Sequence, residues 1–272
     1  MWYNIKPIKG LIKMLEKYCL NYGYSLETIN EMRTSYALQY YKEELLLSKI
    51  ESINSFLLEY GLTKEQVLQV TSNYIKIYSY RVEYLKDKLD YFISLGYSKK
   101  EIIKIIKTLK QFFSYKNSSI ETKINDLITL GFKEKDIKNI ILLFPSVLCL
   151  NIETIKEKMH IIESNGYTHE EVILMITNLP AILGYSIENI IEKIEFYNSI
   201  GLHRLPLVDS KQLMQSVKLS HARFIFFKNR GITIDSSNYK ILFYDQKYFK
   251  NHYKKTNKQL LEELEERKEV TL

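Results

Sequence analysis

The sequence predicts an all-α fold, an α-solenoid of helical repeats about 35 residues long. Three observations carry this. Gly61, Gly96, Gly131, Gly166 and Gly201 stand 35 residues apart. The phrase LFPSVLCLNIETI at 143–155 returns at the same offset as NLPAILGYSIENI at 178–190. The 272 residues include only nine glycines and four prolines, too few to punctuate many short strands, and no segment alternates with period two for long.

Taken in order, residues 1–60 read as one or two degenerate repeats, with Gly23 lying 38 residues before Gly61. Residues 61–201 hold four full units. Each glycine is followed by an apolar residue (Leu62, Tyr97, Phe132, Tyr167), and then often by Ser or Thr, as at Thr63, Ser98 and Thr168. This reads as a helix stopped by a left-handed glycine, then a capped new helix. Gln66, Glu101 and Glu171 stand where capping boxes need them, and Val67, Ile102, Ile137 and Val172 where a staple residue packs. Lys133 and His203 break the cap column, which predicts two weaker helix starts.

Pro145 and Pro180 fall fourteen residues after their glycines and end the first helix of their units. In the other two units Ile75 and Lys110 hold that place, and the same turn is expected without proline. The second helix then buries a stripe spaced four and three: Leu85, Leu89, Phe92; Ile120, Ile124, Leu127; Ile155, Met159, Ile162; Ile190, Ile194, Tyr197. Residues 202–250 read as a shortened final repeat and 251–272 as a charged helix or tail.

Composition narrows the function. A hydrophobic content of 46% suffices for a sizeable core. The net charge of +7 permits an anionic partner, although a chain rich in Lys, Ile, Tyr and Asn also has the bias of AT-rich coding sequence. Cys19 and Cys149 form no C-x-x-C pair, which points to a reducing, intracellular compartment; Cys149, in an apolar run, reads as a buried thiol. No run of 18 apolar residues predicts a membrane span, and MWYNIKPIKGLIKMLEKY makes neither a signal peptide nor a good transit peptide.

The repeated phrase, Leu-x-x-Pro-x-(Ile/Val)-Leu, a polar gap, Ile-Glu-x-Ile-x-x-Lys-(Ile/Met), then Gly-(Tyr/Phe) and a capped helix, resembles the repeat of the mitochondrial transcription termination factor (mTERF) family. Residues 131–201 carry two good copies and 61–131 two degenerate ones. The resemblance implies a left-handed superhelix of three-helix units. It also implies a basic groove for nucleic acid, double-stranded DNA or RNA, in gene expression, with no catalytic residue.

Eight residues before successive glycines stand Lys88, Lys123, Lys158, Lys193 and Arg223. This column lies beside the buried stripe, so each stem can follow apolar surface while its charge emerges at a groove edge. These five are the expected nucleic-acid contacts, set against the alternative of a merely solvated rim. A second basic cluster, Lys250, Lys254, Lys255 and Lys258, reads better as a solvated tail. Tyr84, Tyr91 and Tyr115 are candidates for base stacking. His160, His169, His203, His221 and His252 are scattered, and no metal, P-loop or nucleophile motif occurs. His169-Glu170-Glu171 fits a helix first turn better than a metal site. The expectation is therefore a monomeric nucleic-acid-binding protein that regulates transcription, with no catalysis, cofactor or membrane; the alternative is a protein-binding scaffold.

Overall fold

The computed structural model describes residues 12–203 and 213–270. The N-terminal reading over residues 1–11 and the helix expected after His203 lie outside the described residues. Among the described residues the regular elements are helical throughout, with fourteen α-helices and no strand. The chain divides into two compact units between Asn125 and Asp126.

The first unit contains α1 (Ile12–Tyr22), α2 (Leu26–Thr34), α3 (Glu43–Tyr60), α4 (Lys64–Asn73), α5 (Val82–Ser94) and α6 (Lys99–Thr108). Short 3-10 turns occupy Ile75–Ser79 and Phe112–Ser114. The helix α7 (Asn117–Thr129) begins in this unit. Here α3 packs on α1 and α5, while α4 packs on α6, so like helices of successive repeats lie side by side. A buried polar network pins the N-terminal repeats together. The Tyr24 hydroxyl meets Thr71 Oγ1 at 2.8 Å, and the Tyr78 hydroxyl donates to Asn54 Oδ1 at 2.9 Å.

The second unit contains α8 (Glu134–Leu143), α9 (Ile152–Ser164), α10 (His169–Asn178), α11 (Ile187–Ser199), α12 (Val217–Lys228), α13 (Gln246–Tyr253) and α14 (Asn257–Val270). Its 3-10 turns include Pro145–Cys149, Pro180–Gly184 and Tyr239–Phe243. The same stacking recurs: α8 on α10, α9 on α11, and α11 on α12. The helix α14 lies against α12.

Local chemistry explains the elements. At Gly61 φ is +120°, and the Leu62 N–H reaches back to the Leu57 carbonyl at 3.1 Å, closing the end of α3. Capping boxes close α4 (Thr63, Gln66), α6 (Ser98, Glu101) and α10 (Thr168, Glu171). Lys133 opens α8 with no side-chain cap, as its place in the column predicts. The helices α8 and α10 end at Leu143 and Asn178, and Pro145 and Pro180 each open a 3-10 turn. Without proline the turn still forms, because buried Ile77 and Tyr78, or Phe112 and Phe113, anchor it.

Two burial expectations are corrected. Ile124 is only half-buried, whereas Ile120 and Leu127 lie in the core. Cys149 is exposed, not buried. It ends the turn in which Val147 and Leu148 take the inward positions, so the thiol is left facing out. Cys19 is the buried thiol, and burial pushes it up to about 11.

Candidate nucleic-acid interface

The structure places the predicted cation column inside the protein. Lys88, Lys158, Lys193 and Arg223 are 2%, 7%, 3% and 1% exposed, and Lys123 is half-buried. The stems follow apolar surface as expected, but the charges do not emerge at a groove edge. Four of them end on backbone carbonyls of a later turn. Lys88 Nζ donates to the Tyr115 carbonyl, and to Asn117 Oδ1 at 2.6 Å. Lys158 Nζ donates to the Leu183 carbonyl at 2.6 Å, and Lys193 Nζ to that of Gln215 at 2.6 Å. Arg223 spans the carbonyls of Leu242 and Tyr244 at 2.8 and 2.7 Å, and its other terminal nitrogen reaches Asn257 Oδ1 at 2.8 Å.

The common feature is the carboxyl end of a short helical turn. Its last carbonyls have no partner within the turn and carry the negative end of its dipole. A cation reaching from the second helix of one repeat satisfies them in the next. The cost is desolvation. Burial pushes the Lys88 ammonium down to about 8 and Arg223 to about 10, and it lowers Lys158 and Lys193 as well. These side chains tie repeats together, with their cationic heads turned to carbonyls inside the protein.

The C-terminal cluster is partly neutralised. Lys255 pairs with Glu263, and Lys258 lies 3.6 Å from Glu262. Lys254 takes the left-handed conformation that ends α13 and turns its ammonium back to the Asn251 carbonyl. The three tyrosine candidates are half-buried. Tyr84 donates to the Phe113 carbonyl at 3.1 Å and stacks on Tyr80, Tyr91 packs edge-on against Phe92, and the Tyr115 carbonyl receives Lys88.

Basic charge at the surface is instead organised on α6, where Lys100 and Lys104 are exposed and Lys107 is half-buried. Its sequence KKEIIKIIKT buries Ile102, Ile105 and Ile106 on one face. Lys100, Lys104 and Lys107 follow at i, i+4 and i+7 on another. With Ile103 and Thr108 they line an open cleft of about 430 Å³, whose far wall is Gly61, Thr63 and Gln66 at the amino end of α4. That end carries the positive pole of α4, so the cleft favours an anion from both sides. None of the three lysines has an ion-pair partner among the described residues. Lys99 is set apart, its ammonium 5.4 Å from the centre of the Tyr60 ring. The nearest acid on the helix, Glu101, accepts from Ser98 in the capping box. The spacing of these lysines is visible in the sequence. It is not periodic, because the equivalent places hold Gln69, Asn139 and Leu174 for Lys104.

No group of three or more His, Cys, Asp or Glu suited to a metal ion occurs among the described residues. His169 is held by its own chain: Nδ1 lies 2.8 Å from Glu163 Oε1 and Nε2 lies 3.0 Å from the Leu130 carbonyl. Both ring nitrogens face acceptors. The Glu163 carboxylate first, and the carbonyl as well, raise the His169 pKa. No helix among the described residues is long and apolar enough to cross a membrane. The family model described as mTERF matches residues 7–165. Comparison with curated proteins gives no match.

Proposed function

The chain belongs to the mTERF family, whose helical-repeat proteins bind nucleic acid in gene expression, and from that premise we propose that it grips double-stranded DNA, or RNA, by its phosphates without catalysis and so regulates transcription. The observation that carries this reading is the α6 stripe. Lys100, Lys104 and Lys107 project unpaired charge into one cleft, in a chain of net charge +7. Seven residues of helix advance about 10 Å, and one nucleic-acid strand presents a phosphate about every 3.4 Å along the duplex axis, so the stripe can serve neighbouring phosphates of one strand. Such contacts position the partner and carry no sequence information.

A second reading, a scaffold for a protein partner, draws on Leu143 and Leu174, which are 50% and 47% exposed on the adjacent helices α8 and α10. Binding of the full chain to mixed-sequence duplex DNA, single-stranded DNA and RNA over a salt series separates the two. Phosphate binding requires affinity that falls steeply with salt. Absence of binding to all three at low salt overturns it and leaves the scaffold.

A further inference from the structure

The C-terminal region holds an aromatic column that the phosphate reading does not use. Tyr244, Tyr248 and His252 follow at i, i+4 and i+8 along α13 and the residue before its cap. The Tyr248 and His252 rings stack at 3.7 Å between centres with 15° between their planes, and the Tyr244 ring packs tilted against Tyr248, 4.3 Å away with 57° between the planes. Tyr248 and His252 are exposed. His252 Nδ1 lies 3.0 Å from the Tyr248 carbonyl, so the Nδ1–H donates there and holds the ring in place.

The column is built on a rigid base. On another face of α13, Phe249 is fully buried and packs with Tyr253 against Phe226 and Phe227. Asp245 caps the helix by accepting from the Tyr248 N–H at 2.8 Å. Lys247, Lys250 and Lys254 follow at i, i+3 and i+7 on a different face of α13, all exposed; Lys247 is the nearest of them to the rings, about 100° round the helix from Tyr248, and has no carboxylate partner among the described residues. Exposed rings usually cost solvation without return. A preordered stacked pair with a cation on the neighbouring face suits a single strand, because every base has a face to stack and every nucleotide a phosphate to neutralise.

We propose that the stacked Tyr248–His252 pair, backed by Tyr244, is a stacking platform for an unpaired base of single-stranded nucleic acid, with Lys247 taking an adjoining phosphate. The base adds to the column at His252, the exposed end. A fully paired duplex cannot use the platform, since its bases already stack on each other. The proposal rests on the nucleic-acid reading above but names a different element and a different partner form.

The test uses the full chain and three probes at one salt concentration: a short single strand, the same strand with abasic sites throughout, and a duplex of equal length. The variants are Tyr248→Ala/His252→Ala and, as the conservative control, Tyr248→Phe/His252→Phe. The protein is expected to bind the base-bearing strand about tenfold more tightly than the abasic one. The alanine variant loses that preference and keeps its duplex affinity; the phenylalanine variant keeps both. Equal affinity for the abasic and base-bearing strands overturns the platform and leaves phosphate binding standing. So does a loss that is the same on the duplex as on the single strand, or a phenylalanine variant that behaves like alanine. Failure to bind any of the probes at low salt overturns the nucleic-acid reading and the platform together.

Discussion

The Lys158 ammonium lies 2.6 Å from the carbonyl oxygen of Leu183, joining α9 to the 3-10 turn that follows α10. Lys158→Met keeps most of the apolar stem and removes the donor. The Leu183 carbonyl is then left buried without its partner, while the desolvated charge is also gone. The first effect outweighs the second, because the ammonium is hydrogen-bonded in the folded chain and the Leu183 carbonyl is buried. Stability is expected to fall by about 1–2 kcal/mol, read as a lower urea midpoint at unchanged slope. An unchanged midpoint means that the carbonyl finds another donor and the clamp has no energetic role.

Lys88 makes the same kind of contact and adds a pH signature. Burial holds its folded pKa at about 8, below the ordinary lysine value of about 10.4. Between these values the unfolded chain binds more protons than the folded one, so stability from this group rises with pH, by at most about 1.4 kcal/mol per pH unit. The window closes near pH 10, where tyrosines with raised pKa values begin to act in the opposite direction. Chemical denaturation at pH 7, 8, 9 and about 10 should show stability rising with pH in the natural chain relative to Lys88→Met; the comparison removes the opposite contribution of Cys19, whose thiol burial pushes up to about 11. Equal profiles would place the Lys88 ammonium in water.

The α6 stripe predicts the reverse balance of effects. Lys100→Gln, Lys104→Gln and Lys107→Gln together should weaken duplex binding to all sequences alike. The salt slope should flatten by about two to three, near one unit per phosphate contact. Folding should change by no more than about 0.5 kcal/mol per site, since these side chains are in no ion pair. Lys158→Met and Lys193→Met, by contrast, should leave the salt slope alone if the protein remains folded. A triple variant with an undiminished slope removes α6 from the interface.

What was legible in the sequence was periodic and local. The glycine column gave the helix ends, Thr63, Ser98 and Thr168 gave helix starts, and Pro145 and Pro180 gave turns, because each acts within a few residues of itself. The column of Lys88, Lys158 and Lys193 was equally visible, but a helical wheel fixes only the side of the helix on which a residue lies. Whether its charge reaches water depends on the turn of the following repeat that covers it, a relation about 25 residues distant in sequence, as from Lys158 to Leu183. Cys149 failed for a related reason. The 3-10 turn rotates successive side chains by a different angle from an α-helix, so an apolar run there does not share one face. The α6 stripe has no periodic signature, because Lys104 and Lys107 recur in no other repeat and only Lys100 has a counterpart, Lys135.

His169 predicts a second pH effect, of opposite sign to that of Lys88. The Glu163 carboxylate, and then the Leu130 carbonyl, raise its folded pKa above the ordinary histidine value; Glu170 adds to this. The stabilisation is therefore fully present below about pH 6.5, the unfolded value, and is lost as pH rises through the higher folded value. The imidazole is half-exposed, so the effect is small. His169→Gln should flatten the decline in stability above about pH 6.5, and a decline that persists unchanged assigns it to other groups.

Gly131 and Gly166 separate backbone strain from contact at one kind of turn. Their φ angles are +93° and +92°, so alanine is strained equally at both. A β-carbon at Gly166 meets nothing within 4 Å, whereas at Gly131 it comes to 3.2 Å from His169 Nε2. Gly166→Ala should cost about 1 kcal/mol from conformation alone. Gly131→Ala should cost more, because the β-carbon pushes the imidazole off the Leu130 carbonyl. The excess belongs to the contact and should vanish when His169 is already alanine, which a double-mutant cycle measures directly. Equal costs at the two glycines, or an excess that survives in the His169→Ala background, would show that the imidazole yields freely and does not hold the turn.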